Sequence, residues 1–108
     1  MEEVFLPSLK KQVLKALMET AIMAQMRTEP LSGYDLMLLF SEQFGINISP
    51  GTIYTTLNNM ERDRLIKSKI ISRKRIYELT DEGSNALDEI LEEMEGLHKF
   101  IKNLMIHK

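Results

Sequence analysis

The chain has 108 residues, of which 44% are hydrophobic and 28% charged, and its net charge is −2. This length is enough for one hydrophobic core but not for two, and the absence of cysteine excludes a disulfide framework, a thiolate metal site and a cysteine nucleophile. No apolar stretch approaches the ~20 residues that span a bilayer, and the acidic start Met1-Glu2-Glu3 does not resemble a secretory signal. We therefore expect a cytoplasmic protein.

The first predicted element is a helix over residues 8–26, with Ser8 as a suitable N-cap. Its apolar residues recur at helical spacing over more than one face, which predicts either a helix central in the fold or one that serves both the core and a partner. Thr28 to Pro30 break the pattern. Ser32 then begins a second helix, with Asp35 as its capping-box partner and Gly45 as its end.

The sequence Ser49-Pro50 predicts the start of a third helix, with serine as N-cap and proline at the first helical position. Ile53, Leu57 and Met60 fall within a narrow arc and predict its buried face. The opposite side is small, polar and almost free of acids. It consists of Gly51, Thr55, Asn58, Asn59 and Arg62, with Thr52 flanking.

From Leu65 to Leu79 the apolar residues alternate, which predicts a two-stranded hairpin with a basic tip at Ser72-Arg73-Lys74. The tip contains no Asn-Gly or Asp-Gly, so the turn type stays open. Residues 62–75 contain seven basic residues and one acid, whereas residues 78–95 contain eight acids and no base. The net charge is thus the sum of two segregated blocks, and the positive block can bind phosphates.

Thr80 caps a predicted final helix over residues 81–106, whose apolar residues are spaced as a heptad seam. These residues are Leu87, Ile90, Met94, Leu97, Ile101 and Leu104. A helix of about 26 residues is ~39 Å long, more than so small a core can cover. Its C-terminal half would expose an apolar patch, which predicts a homodimer. Packing against the first helix of the same chain is the alternative.

Three helices, a hairpin and a long helix predict a mainly α fold with a small β-hairpin (α+β), a winged helix-turn-helix with a long C-terminal dimerisation helix. Residues 1–80 would form the winged-helix DNA-binding domain and residues 81–108 the dimerisation helix, together one compact domain. In this fold the third helix enters the major groove of double-stranded DNA and the hairpin contacts the backbone. The candidate DNA contacts from these elements are Gly51, Thr52, Thr55, Asn58, Asn59, Lys67, Lys69, Arg73, Lys74 and Arg75. A solvated helix face and a charged, aggregation-resistant hairpin edge are the alternatives.

Four segments of the chain resemble the PadR-type family of transcriptional regulators. They are Leu31-Ser32-Gly33-Tyr34-Asp35-Leu36, Ser49-Pro50-Gly51-Thr52-Ile53-Tyr54 with Leu57 and Glu61, Leu65-Ile66 and Tyr77-Glu78-Leu79-Thr80-Asp81-Glu82-Gly83. The resemblance implies a repressor-like homodimer on a near-palindromic operator, with DNA contacts from Tyr34, Thr52, Tyr54 and the wing. Ser49, in the same motif as Thr52 and Tyr54, is also a candidate DNA contact. The two tyrosines have a second interpretation as residues that complete the small core.

The resemblance also implies dimerisation through the last helix, helped by the first. The candidate interface residues on these helices are Leu14, Met18, Ile22, Ile90, Met94, Leu97, Ile101 and Leu104. Met18, Met23, Met26, Met94 and Met105 lie on the same helices, and methionine surfaces adapt to varied apolar shapes. Some PadR-type proteins bind drug-like ligands between subunits, so a small apolar effector is a hypothesis here, with ordinary packing as the alternative.

No residue pattern predicts an enzyme, a metal site or a cofactor. His98 and His107 are nine residues apart and do not share a helix face, and no catalytic set or phosphate-binding glycine loop is present. The main alternative to DNA binding is a winged helix used for protein–protein contact, which the net charge of −2 mildly favours. The basic hairpin beside an acid-poor third helix favours DNA.

Overall fold

The computed structural model describes the backbone of residues 2–106 and the side chains of residues 8–106. The elements in chain order are α1 (Glu2–Ala16), α2 (Met18–Thr28), α3 (Gly33–Phe44), α4 (Pro50–Arg62), β1 (Ile66–Ile71), β2 (Lys74–Leu79), α5 (Asp81–Glu92) and α6 (Met94–Met105). This order confirms the predicted mainly helical fold with one hairpin. None of the described helices is long and apolar enough to cross a membrane.

The caps predicted at α3 and α4 are formed. The Ser32 hydroxyl accepts the Asp35 N–H at 3.0 Å, and the Asp35 carboxylate accepts the Ser32 N–H at 3.0 Å, so the capping box is reciprocal. Gly45 ends α3 in the left-handed conformation with φ of 65°, which glycine adopts without strain. The Ser49 hydroxyl accepts the Thr52 N–H at the start of α4. These local bonds fix where the two helices of the helix-turn-helix begin and end.

The capping box predicts a pH-dependent contribution to stability. The Ser32 N–H that donates to the Asp35 carboxylate lowers the pKa of Asp35 below its ordinary 3.8, against the opposing effect of partial burial. Because the folded-state pKa is the lower one, this stabilisation is present above the unfolded-state pKa and is lost as the pH falls through the folded value. An Asp35→Asn variant keeps an acceptor but cannot titrate. Urea unfolding between about pH 6 and pH 3 should therefore show the stability advantage of the wild type shrinking as the pH falls; a constant difference would contradict this role of the carboxylate.

The hairpin is joined by a two-residue turn. Ser72 and Arg73 have φ values of 51° and 67°, and positive φ at both central residues is typical of a type I′ turn. The turn sets an antiparallel register in which Ile66 faces Leu79 and Ser68 faces Tyr77. Leu31 pairs with Tyr77 on the other edge of β2, where each N–H donates to the other residue's carbonyl at 3.0 and 2.8 Å. The base of the hairpin is thus fastened to the segment that precedes α3.

The helix predicted over residues 8–26 is two helices in the structure, and the first begins at Glu2, so Ser8 lies inside α1 and is not its N-cap. Leu17, with φ of −109° and ψ of 18°, leaves the helical conformation between α1 and α2. The core lies on α2: Ile22 is completely buried, together with Met18, Met23 and Met26. No described side chain of α1 is buried, and Leu14 packs only partly against the core. The first helix is therefore peripheral, and the second is central.

The predicted final helix is also divided, at Glu93, whose φ of −94° and ψ of 5° separate α5 from α6. The α5 half packs against the core through Leu87, and Arg27 of α2 binds the Asp88 carboxylate at 2.8 Å and the Ser84 carbonyl at 2.9 Å. No residue of α6 is buried. The apolar seam predicted from the sequence is covered on α5 and bare on α6.

Candidate nucleic-acid interface

One side of α4 is available to a ligand. Ile53, Leu57 and Met60 are completely buried on its inner side, whereas Gly51, Thr55 and Asn58 are exposed on its outer side. The first turn of α4 contains no acidic residue. Asn59 is half-buried at the edge of the outer face. The outer face therefore presents hydrogen-bonding groups without negative charge, as the helical spacing predicts.

The hydroxyl groups at the start of α4 are already hydrogen-bonded. Ser49 Oγ accepts the Thr52 N–H at 3.2 Å and donates to Thr52 Oγ1 at 2.9 Å. Thr56 Oγ1 donates to the Thr52 carbonyl at 2.7 Å. Ser49 thus holds the first turn of α4 in place, and Thr52 Oγ1, which accepts from Ser49, keeps its own proton available to an external acceptor.

Tyr34 and Tyr54 both lie at the surface, 60% and 41% exposed. The ring of Tyr54 lies over Gly33, because a Cβ added to Gly33 would be only 2.5 Å from Tyr54 Cε1. Gly33 therefore provides the space that seats this ring beside the beginning of α3. Neither tyrosine is part of the buried core, so the interpretation that both complete the core is not supported.

The basic residues of the hairpin are divided between its two faces. Directly paired residues share a face of an antiparallel pair, so Arg75 lies on the face of Ser68 and Tyr77, toward the core. Lys67, Lys69 and Lys74 lie on the opposite face, and Arg73 is in the turn. Lys67 is partly neutralised by Glu78, whose Oε1 is 3.7 Å from its Nζ. The sequence predicted one basic block, but the structure places its charges on two faces and a tip.

A chain of hydrogen bonds joins the hairpin to α4. Ser68 Oγ donates to Glu61 Oε2 at 2.6 Å, and Arg75 Nη1 donates to Ser68 Oγ at 2.9 Å. Tyr77 is buried beside this chain; burial raises its pKa, Arg75 opposes that rise, and Glu61 adds to it. The connecting roles of Ser68 and Glu61 were not predicted from the sequence, because they depend on which side chain of α4 the hairpin approaches in the folded chain. The hairpin and α4 therefore form one connected surface.

The sequence profile of the transcriptional regulator PadR-like family matches residues 22–89. The chain belongs to the PadR-like family of transcriptional regulators. Members of this family are regulators and not enzymes, so the prediction that the chain is not an enzyme is confirmed. The match extends from within α2 to within α5 and leaves out α1 and α6. No curated protein matches the chain significantly.

Solved structures of PadR-like regulators share the winged-helix fold. A regulator from Eggerthella lenta has a TM-score of 0.82 at 22% identity, over 99% of this chain and 97% of that one. A PadR-like regulator from Bacillus cereus has a TM-score of 0.74 at 26% identity, over 90% of this chain and 99% of that one. Bacillus subtilis PadR in complex with operator DNA has a TM-score of 0.65 at 28% identity, over 69% of this chain and 47% of that one.

In this PadR-like chain the predicted dimer-interface residues fall into three groups. Met18 and Ile22 belong to the core of the single chain, so their side chains are not available to a partner, and their place in the predicted interface is corrected. Leu14, Ile90 and Leu97 are half-buried. Met94, Ile101 and Leu104 are exposed on α6, 45%, 43% and 56% respectively. Phe100 and Met105, which the sequence places in the same apolar C-terminal half of the last helix, are exposed beside them.

The methionines do not line a common surface. Met18, Met23 and Met26 are buried in the core, whereas Met94 and Met105 are exposed on α6. An apolar groove of about 500 Å³ lies instead beside α1, between that helix and the end of α3. Val13, Leu14, Leu17, Phe40 and Phe44 are among its lining residues. Within the described part of the chain, no three acidic or histidine side chains come together as metal ligands; His107 lies outside the described residues.

Proposed function

We propose that the chain is a sequence-specific DNA-binding repressor that binds a near-palindromic operator as a homodimer. The observation that carries this proposal is that the acid-poor outer face of α4 and the basic hairpin form one surface, connected through Ser68. A helix of this kind fits the major groove while the wing contacts phosphates. The operator complex of Bacillus subtilis PadR, 28% identical over the matched region, supports the same role for this chain.

The proposed contacts follow from the chemistry of each side chain. Thr55, Asn58 and Asn59, with Thr52 at the edge, hydrogen-bond base edges or phosphates, and Gly51 allows the backbone to approach the DNA closely. Lys69 and Lys74 bind phosphates as point charges, and Arg73 can bind a phosphate through two parallel N–H groups. Arg75 contributes charge and, through Ser68, holds the wing against α4. Tyr34, Ser49 and Tyr54 complete the contact set implied by the family motifs.

We propose that the two parts of the chain predicted from the sequence have separate functions. Residues 1–80 bind DNA and residues 81–108 dimerise, with Leu14 of α1 contributing to the dimer interface. A repressor acts by occupying its operator, and a homodimer presents two reading helices to the two half-sites of a palindrome. A small apolar effector bound between the subunits is a further hypothesis, and the groove beside α1 is of a size that suits one. We place the protein in the cytoplasm, with the DNA that it regulates.

The first test is fluorescence-anisotropy binding to random and selected duplexes across a salt series, with the oligomeric state measured by light scattering. A dimer whose affinity falls steeply with salt would support the proposal, and selection of operator sequences would follow. A dimer without DNA affinity even at low salt would contradict it and would favour a winged helix that binds protein.

Neutralising the outer face of the wing should weaken binding to all DNA sequences alike. Lys69 and Lys74 are exposed on the same face, and neither is among the ion pairs of the described residues. Because each of the two subunits would lose two contacts, a Lys69→Ala/Lys74→Ala variant is expected to lower the slope of log affinity against log salt by about 4 per dimer. Lys99→Ala/Lys102→Ala removes the same charge from α6 and serves as the control. If the wing variant and the α6 control had equal salt slopes, the wing would not contact the DNA phosphates.

A further inference from the structure

A second basic surface lies on the side of α1 that faces the turn between α3 and α4. Lys11 and Lys15, one helical turn apart and both exposed, line a small cavity of about 100 Å³ together with Asn47, Ser49 and Thr52. Lys11 also lines an adjoining cavity of about 360 Å³ with Ser8, Gly45 and Asn47. Ser8, Lys11 and Lys15 share one helix face by their spacing. This face of α1 therefore borders the beginning of the reading helix.

Among residues 8–106, no acidic neighbour neutralises the charge of this surface. No acidic residue lines either cavity, and neither lysine forms an ion pair with another of residues 8–106. The sequence from Val4 to Met18 contains three lysines and no acid. Two ammonium groups thus remain available to an anion beside the helix-turn-helix.

The position of the two lysines relative to the wing suggests which anion they meet. At 100° per residue, Thr52 and Glu61 lie on opposite flanks of the outer face of α4. Glu61 is on the wing side, because it accepts from Ser68. Thr52 is on the side of Lys11 and Lys15. The reading face of α4 is therefore bordered by positive charge on both flanks, and a helix in the ~12 Å major groove has a phosphate backbone on each side.

We propose that Lys11 and Lys15 bind DNA phosphates on the side of the major groove opposite the wing, so that α1 is part of the DNA interface. This inference rests on the proposed function and extends it to a helix outside the matched family region. The bound group is the phosphodiester backbone of the same operator, contacted by two point charges. The contact adds affinity and fixes the orientation of α4, and it carries no sequence information.

The test compares lysines on two faces of one helix. Because both subunits would lose two contacts, a Lys11→Gln/Lys15→Gln variant is expected to bind every duplex at least about one hundredfold more weakly at 0.1 M salt, with a salt slope lower by about 4 per dimer. The matched single variants are Lys11→Gln and Lys10→Gln, since Lys10 lines the apolar groove on another face of α1. Lys11→Gln should lower the slope by about 2 per dimer, and Lys10→Gln should leave it unchanged. Circular dichroism checks that each variant is folded.

Ethylation interference locates the contacts. Some phosphates should weaken binding of the wild type when they are ethylated but not binding of Lys11→Gln/Lys15→Gln. These should lie across the major groove from the phosphates whose ethylation no longer weakens binding of Lys69→Ala/Lys74→Ala. If the wild type and wing variants behave as proposed but the α1 variant retains the wild-type slope and footprint, the α1 contact is wrong and the proposed function stands. If the wild type does not bind DNA at low salt, both are wrong.

Discussion

Replacing Gly83 with alanine is expected to lower the free energy of unfolding by about 3 kcal/mol. Gly83 is buried in the first turn of α5, where an added Cβ would overlap the Leu65 carbonyl oxygen and lie 2.8 Å from Leu79 Cδ1. The obstacle is a backbone atom that is held in place. The Leu65 carbonyl accepts the Thr80 N–H at 3.1 Å, and the Thr80 hydroxyl is shared between the carbonyls of Arg64 at 2.6 Å and Leu65 at 3.0 Å. Relief requires α5 to move away from the end of the hairpin.

Gly96→Ala is the control for this substitution. The nearest atom to a Cβ at Gly96 is Glu93 Oε2 at 3.6 Å, an ordinary contact, so the higher helix propensity of alanine should stabilise α6 by up to about 1 kcal/mol. Urea unfolding of both variants at neutral pH should give changes in the free energy of unfolding of opposite sign, a decrease for Gly83→Ala and an increase for Gly96→Ala. A Gly83→Ala protein as stable as the wild type would mean that α5 does not depend on this close approach.

The elements that the sequence predicted correctly are those set by neighbouring residues. Ser32 with Asp35, Ser49 with Pro50, and Thr80 before the acidic first turn of α5 each mark a helix start within four residues, and each cap is formed. Gly45 likewise ends α3 where expected. A cap is a hydrogen bond between residues two or three positions apart, so it can be predicted from the local sequence without knowledge of the tertiary packing.

The two helix breaks had no comparable signal. Neither Leu17 nor Glu93 is a glycine or proline, and the apolar periodicity continues across both. The breaks accompany a change of environment: α2 and α5 pack into the core, whereas α1 and α6 lie outside it. Such a change depends on the whole fold. For the same reason the sequence assigned Met18 and Ile22 to a partner, although a single chain buries them.

The surface proposed to bind DNA was only partly visible in the sequence. The polar face of α4 follows from helical spacing alone. The separation of Arg75 from Lys69 and Lys74 follows from the strand register, which the two-residue turn at Ser72 and Arg73 fixes. The turn contains no glycine, so its type could not be predicted from the sequence. The hydrogen bonds of Glu61 and the approach of Lys11 to the α3–α4 turn join segments distant along the chain. These required the folded structure.

Placing two aspartates on the bare side of α6 is expected to convert the proposed dimer into a folded monomer. Phe100, Ile101 and Leu104 are exposed within an arc of about 100° on α6, the surface that a partner helix would cover. An Ile101→Asp/Leu104→Asp variant places two charges where burial would require them to lose their hydration. Because Ile101 and Leu104 are exposed and no residue of α6 is fully buried in the single chain, the core and its circular dichroism spectrum should be unaffected. Light scattering should report half the mass of the wild type.

The same variant separates dimerisation from DNA contact. Two linked reading helices gain affinity from effective concentration, commonly by a factor of 10² to 10⁴, so operator affinity should fall by at least about 100-fold although no DNA-contacting residue has changed. Lys99→Gln/Asn103→Asp alters the net charge equally on the polar side of α6 and should leave both mass and affinity unchanged. A dimer that survives Ile101→Asp/Leu104→Asp would place the interface elsewhere, and the exposed Leu9, Val13 and Leu17 of the α1–α2 segment would be the next surface to test.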